Sequence, residues 1–172
     1  MPAALIGARH THAQACLVVT AGTATTVEHI FNNNSDGFVR YNSSVTDNIT
    51  YTGLEPIDDS IDADNRIFTF NGGAETITLS DSGTAGRTTL DSGLAETVTF
   101  DNPTSSLTVN AGTGVDIVNV TGLGSSFAAS IEINGDDDSD SVNFNNAISY
   151  TGTLTVNAEN IDVNASITTG GN

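Results

Sequence analysis

The chain of 172 residues contains no lysine, no tryptophan, one cysteine and one methionine. Its four arginines face 21 aspartates and glutamates, a formal net charge of −17. Such a polyanion repels phosphate, which excludes nucleic acid and anionic membrane surfaces as charge-driven partners. Cys16 alone excludes an intramolecular disulfide and a cysteine-only zinc site. No apolar run approaches the roughly 20 residues of a spanning helix, so no membrane insertion is expected. Lys, Glu, Met and Gln are scarce while Thr and Val abound, which argues against a helical bundle. Charged residues make up 15% of the chain, against about 25% in an average domain. Thr, Ser, Asn and Gly fill the difference. The length suits one ordinary domain.

What is present is a repeat. From Arg66 onward five segments share one grammar: RIFTFNGGAETITL (66–79), RTTLDSGLAETVTF (87–100), SLTVNAGTGVDIVNV (106–120), SIEINGDDDSDSVNF (130–144) and TLTVNAENIDVNASI (153–167). Each opens with a short alternating strand, then an Asn or Asp, small or acidic turn residues, and a second alternating strand. The turn residues Asn71, Asp91, Asn110, Asn134 and Asn157 recur about every 19–24 residues. Each coil of a solenoid must return to the same place one strand higher, and a regular spacing follows from that. The expected fold class is therefore all-β, a parallel β-solenoid with coils of about 19–24 residues.

The apolar positions agree. In the first strands they are Phe68 and Phe70, Leu90, Leu107 and Val109, Ile131 and Ile133, Leu154 and Val156. In the second strands they are Ile77 and Leu79, Val98 and Phe100, Val118 and Val120, Val142 and Phe144, Ile161 and Val163. A spacing of two puts both members of a pair on one face. The residues between them, Thr69, Thr78, Thr99, Thr108, Asn119, Asn143 and Thr155, suit a wet outer face. Thr88 takes an inward slot. Stacked carboxamides at the turns would bond to one another, with Asp91 as a weak step.

Three regions emerge: residues 1–24 as a poorly defined N-terminal segment, 25–65 as N-terminal β coils or a cap, and 66–172 as the solenoid repeats. TTVEHIF, GFVRYN and NITYTGLEPI look like strands, with Glu28 and His29 a pair on a strand surface. Residues 57–65, IDDSIDADN, look like an acidic, turn-rich joint. Ala13-Gln14-Ala15 looks like a cleavage site, but Arg9, His10 and His12 interrupt the apolar stretch that a leader needs. An internal start in a longer frame explains the segment as well. SITTGGN at the end carries no cap, so either the chain continues or its β edges pair with other molecules.

A second column precedes the second strands: Glu75, Glu96, Asp116 and Asp140. Stacking would set these carboxylates about 5–8 Å apart, where they repel unless screened. AGTGVDIVN (111–119) nearly matches a calcium-binding nonapeptide, with Gly112, Gly114, Asp116 and Val118 in place. Asp136, Asp137, Asp138 and Asp140 follow one segment later. These four with Asp116 are the candidate calcium ligands; a solvated acidic loop is the alternative. His10, His12 and Cys16 are of metal-ligand type but lie in the least organised stretch. Nothing places a base beside a nucleophile, so no catalytic residue is expected.

TLTVNAENIDVNASITTGGN, GGAETITLSDSG and INGDDDSDSVNF resemble the coil repeats of filamentous-haemagglutinin-type adhesins and giant repetitive bacterial surface proteins. The resemblance spans residues 66–172. It implies a right-handed parallel β-helix at the cell surface and transfers no catalytic residue. The functional expectation is a non-enzymatic, extracellular structural or adhesive segment with a surface glycan or protein receptor as partner. Three alternatives stand beside it: a fibre subunit self-associating through open β edges, a carbohydrate-active β-helix enzyme, and an antiparallel sandwich with calcium at its turns.

Overall fold

The computed structural model describes residues 5–10, 15–44 and 48–170, with the backbone alone for 5–10, 15–17, 19–21, 54 and 55. The cleavage-like motif and the His10, His12 and Cys16 grouping thus fall partly outside the described residues. The strands in chain order are β1 (Leu5–His10), β2 (Ala15–Phe31), β3 (Asp36–Tyr41), β4 (Asn48–Thr52), β5 (Leu54–Phe70) and β6 (Thr76–Asp81). Then come β7 (Arg87–Ser92), β8 (Ala95–Asp101), β9 (Ser106–Asn110), β10 (Ile117–Val120) and β11 (Ser130–Asn134). The last are β12 (Ser141–Phe144), β13 (Ile148–Tyr150), β14 (Leu154–Asn157), β15 (Asn160–Val163) and β16 (Ile167–Thr169). None of the described residues is helical, so the molecule is all-β, as its Thr- and Val-rich composition requires.

Fourteen strands form one mixed sheet, mostly linked in parallel, and β13 pairs with β16 separately. One parallel column runs β2–β5–β9–β11–β14. A second runs β6–β10–β12–β15. β13 and β16 make a third, also parallel. The inward pairs fall in register: Ile77, Val118, Val142 and Ile161 share one row, and Leu79, Val120, Phe144 and Val163 the next. From Phe68 to Phe144 every inward residue named from the sequence is at most 2% exposed. These rows form one continuous core. The alternating Thr and Asn residues lie half-buried or exposed on the outer faces.

The structure departs from the sequence expectation in four places. First, segment 87–100 is not a parallel coil. β7 runs antiparallel to both β6 and β8. The cause lies in the turn before it, where Gly83 and Gly86 both adopt φ of 76° and reverse the chain. Asp91 consequently sits opposite Thr78 instead of joining the carboxamide column. Second, the step from β5 to β9 is offset by two residues. Asn110 lies beside Thr69, and Arg66 takes the inward slot beside Leu107. Asn71 reaches back to Asn32 instead, its Nδ2 donating to Oδ1 at 3.3 Å.

Third, the acidic stretch 57–65 is strand, not joint. Its inward phase is Ile57, Asp59, Ile61 and Ala63, all buried. The first part of β5 pairs with β8 and its last part with β9. Fourth, the last rung has the expected phase without the expected cover. Ile161 is 51% and Val163 55% exposed, although the residues they stack on are buried.

Candidate functional site

The turns between the first and second columns carry two sets of polar stitches. Carboxamides make one set. Asn134 Nδ2 donates to Asn110 Oδ1 at 3.0 Å, and Asn157 Nδ2 donates to Asn134 Oδ1 at 2.6 Å. A parallel, in-register stack permits this, because identical side chains meet one strand apart. A second amide step appears on the outer face, where Asn143 Nδ2 donates to Asn119 Oδ1 at 3.1 Å.

Carboxylates make the other set. Asp116 Oδ1 accepts the Glu75 amide at 2.7 Å, Asp140 Oδ1 accepts the Asp116 amide at 2.9 Å, and Glu159 Oε2 accepts the Asp140 amide at 3.0 Å. Each acid thus holds the backbone of the acid one strand before it. The expected column therefore contains Glu75, Asp116 and Asp140, is extended by Glu159, and omits Glu96. Glu96 is buried at the start of β8, in the antiparallel hairpin. Glu75, Asp116 and Asp140 are each at most 5% exposed.

Their electrostatics follow from how many donors each receives. Asp140 is well supplied, since its Oδ2 also accepts the Asp136 amide at 2.8 Å. Asp116 has one donor, and its Oδ2 has no hydrogen-bond partner. Burial pushes its carboxyl up to about 6; the Glu75 amide opposes this, and the charges of Asp140, Asp136 and Asp138 reinforce it. Glu75 is raised for the same first reason, burial, although Ser92 Oγ donates to its Oε2 at 2.7 Å; the charge of Asp116 adds to the rise.

The candidate calcium ligands are gathered around this column, and Asp116, Asp136, Asp138 and Asp140 each turn at least one oxygen to a backbone amide. Asp136 Oδ1 accepts the Asp138 amide at 2.8 Å, and Asp138 Oδ2 accepts the Gly114 amide at 3.1 Å. Asp137 is exposed. Among the described residues no three His, Cys, Asp or Glu side chains form a group that could hold a metal ion. Gly112 belongs to the turn chemistry. Its φ is 90°, and a Cβ there would lie 2.1 Å from the Phe70 carbonyl oxygen, so the chain passes β5 only without a side chain.

A further charged group lies in the interior, unseen in the sequence reading. His29, Asp59 and Arg66 are all 0% exposed. Asp59 Oδ2 meets His29 Nε2 at 2.8 Å and accepts from Arg66 Nη1. Asp59 Oδ1 accepts the Ile61 amide at 3.0 Å, and Arg66 Nε donates to the Asp101 carbonyl at 2.8 Å. Burial alone would raise the Asp59 carboxyl. The Arg66 charge and the His29 contact outweigh it and hold the carboxyl well below the usual range. His29 is therefore not on the strand surface; Glu28 alone is, paired to Arg40 at 3.0 Å. The signal was in the phase: Val27, His29 and Phe31 alternate inward, as do Arg66, Phe68 and Phe70. With every member sealed from solvent, the trio fastens β2 to β5 and offers no surface for chemistry.

Comparison of the chain with protein-family models, curated proteins and solved structures finds no match.

Proposed function

We propose that the chain is a non-enzymatic structural or adhesive repeat segment that works outside the cell, built as a right-handed parallel β-solenoid. One observation carries the reading. At the turns Asp116, Asp140 and Glu159 each accept a backbone amide of the strand before, and Asn134 and Asn157 each donate to the carboxamide before, so these side chains hold the strands in register. Such stitching favours a stiff rod with repetitive outer faces. The right hand follows the strong preference of crossovers that join parallel strands. The outer faces present rows of Ser, Thr and Asn, such as Ser106, Thr108 and Asn110 over Ser130, Glu132 and Asn134. Rows of this kind suit many weak hydrogen bonds to a surface glycan or protein, and a net charge of −17 keeps separate rods apart. An extracellular place is in keeping with a chain that has no lysine, few charges other than acids, and abundant Thr, Asn, Ser and Gly.

The test has two arms. The first passes the purified chain over immobilised glycans and extracellular-matrix proteins. The second incubates it with neutral and acidic polysaccharides and looks for new reducing ends or unsaturated products. Retention without turnover is the expected result. Turnover in the second arm would replace the reading with the carbohydrate-active alternative.

A further inference from the structure

We infer that Asn71-Gly72 is a site of spontaneous deamidation, and that the carboxamide column shields the equivalent step Asn134-Gly135. These are the two Asn-Gly steps of the chain, at the exits of β5 and β11. The fold itself favours glycine there. A Cβ on Gly72 would lie 2.3 Å from Glu75 Oε1, and one on Gly135 would lie 2.2 Å from Asp140 Oδ2. Both acids belong to the carboxylate column, which thus runs against a residue that has no side chain. Asn110 and Asn157 are followed by Ala111 and Ala158 instead.

The chemistry makes two demands. The backbone nitrogen of the following residue must give up its proton and attack the Asn Cγ. The bond from Cγ to the side-chain nitrogen then breaks, and ammonia leaves. The cyclic imide that remains takes up water at one of its two carbonyls. Opening at one gives aspartate; opening at the other gives isoaspartate, whose main chain is longer by one carbon. In sum, water enters, ammonia departs and nothing is oxidised. Glycine in second place hinders the attack least, because no Cβ stands beside the nitrogen. The two sites therefore differ in whether that nitrogen is free and whether the carboxamide can turn toward it.

At Asn134-Gly135 neither demand is met. The Gly135 amide donates to the Asn157 carbonyl at 2.8 Å. The Asn134 carboxamide donates to Asn110 Oδ1 at 3.0 Å and accepts from Asn157 Nδ2 at 2.6 Å. Attack would have to break these bonds first, which slows it. At Asn71-Gly72 both demands are met. Among the described residues the Gly72 amide has no hydrogen-bond acceptor. Asn71 is exposed, and its Nδ2 donates to Asn32 Oδ1 at 3.3 Å, just beyond the usual range. The two-residue offset between β5 and β9 is the cause, because it sets Asn110 beside Thr69 and leaves Asn71 outside the column. The product exchanges a neutral carboxamide for a carboxylate and can no longer donate to Asn32. This chemistry depends on the turn alone and holds whether or not the outer faces grip a surface ligand.

The experiment incubates the folded chain at mildly alkaline pH. It follows the peptides that contain each site by mass spectrometry, with isoaspartate content as a second readout. Residue 71 should convert at least tenfold faster than residue 134, and anion exchange should resolve the product by its extra negative charge. In concentrated urea, where neither site is held, the two rates should converge. Asn110→Ala withdraws the acceptor of the Asn134 carboxamide and should raise the rate at residue 134 severalfold, with the rate at residue 71 unchanged. Equal rates in the folded chain would overturn the proposal, and so would a preference for residue 71 that persists undiminished in urea. An unaltered rate at residue 134 in a folded Asn110→Ala chain would overturn the shielding by the column.

Discussion

Between β2 and β8 the interior is built from rings and a buried ion network; from β9 onward it is mostly aliphatic, and the buried polar work has moved to the turns. The first region packs Phe31 against Phe70 and Phe68 against Phe100, each pair with centroids 4.9 Å apart. It buries Asp59 beside Arg66, whose guanidinium also lies 5.4 Å from the Phe100 ring centre. The second region has no cation at all and still buries Asp116 and Asp140. The difference shows two ways to keep a carboxylate out of water. A partner charge makes the anion more stable than in solution. Backbone amides alone meet the acids of the second region, two at Asp140 and one at Asp116, and the single amide at Asp116 does not offset its burial.

The contrast can be broken most forcefully at Arg66. Arg66→Met removes the cation and leaves Asp59 buried, which should cost about 3–5 kcal/mol in urea unfolding. A loss below about 1 kcal/mol would mean that the network contributes little. Next come the apolar rows. Ile133→Ala, at 0% exposure, should cost about 2–5 kcal/mol, whereas Ile161→Ala on the uncovered rung should cost under about 1 kcal/mol. Equal losses would show that the last rung is covered in solution.

The pH dependence separates the two carboxylates by sign. Asp116 is raised from 3.8 to about 6 on folding. Its contribution is fully present below about pH 4 and is lost as pH rises through about 6, on the order of 2–3 kcal/mol. Asp59 is lowered on folding. Its contribution is present above about pH 4 and is lost as pH falls further. Stability should therefore pass through a maximum on the acid side of neutrality. In Asp116→Asn the loss between pH 4 and 6 should shrink while the acid limb stays. A wild-type loss in that interval persisting unchanged in the variant would assign it to other groups. The smallest effect belongs to the carboxamides. Asn134→Ala removes two side-chain bonds and should cost about 1–2 kcal/mol, and Asn157→Ala, with one, about half of that. Identical melting points for the two would argue against a ladder.

Period-two alternation made the inward rows readable, because the side of a strand depends only on odd or even position. It read Phe68 to Phe144 correctly and placed Asn110, Asn134 and Asn157 in one column. It could not tell a parallel coil from an antiparallel return, since both alternate alike. The segment 87–100 therefore passed for a coil, although Gly83 and Gly86 marked the reversal. Nor could it see the two-residue offset at β9, because a shift of two preserves every inward assignment. The carboxylate column was legible as a spacing, but its use was not: only coordinates reveal that each acid reaches the amide of the strand before it. The trio of His29, Asp59 and Arg66 was hidden by residue type, since charged and imidazole side chains on a strand are expected to face solvent.

The parallel columns also set how the molecule meets a mechanical load. Their hydrogen bonds lie along the stacking direction and across the strands. A pull on Gly170 directed away from the stack loads the bonds at the last strand first, so the array peels and does not shear. Successive rungs from β11 and β14 begin 24 residues apart, at Ser130 and Leu154. Each one released should lengthen the chain by about 80 Å. The half-covered last rung should come away at the lowest force, and the ring-packed, ion-bound strands β2 and β5 should hold longest. Single-molecule extension would show that order as a rising series of steps, and one all-or-none rupture would contradict it.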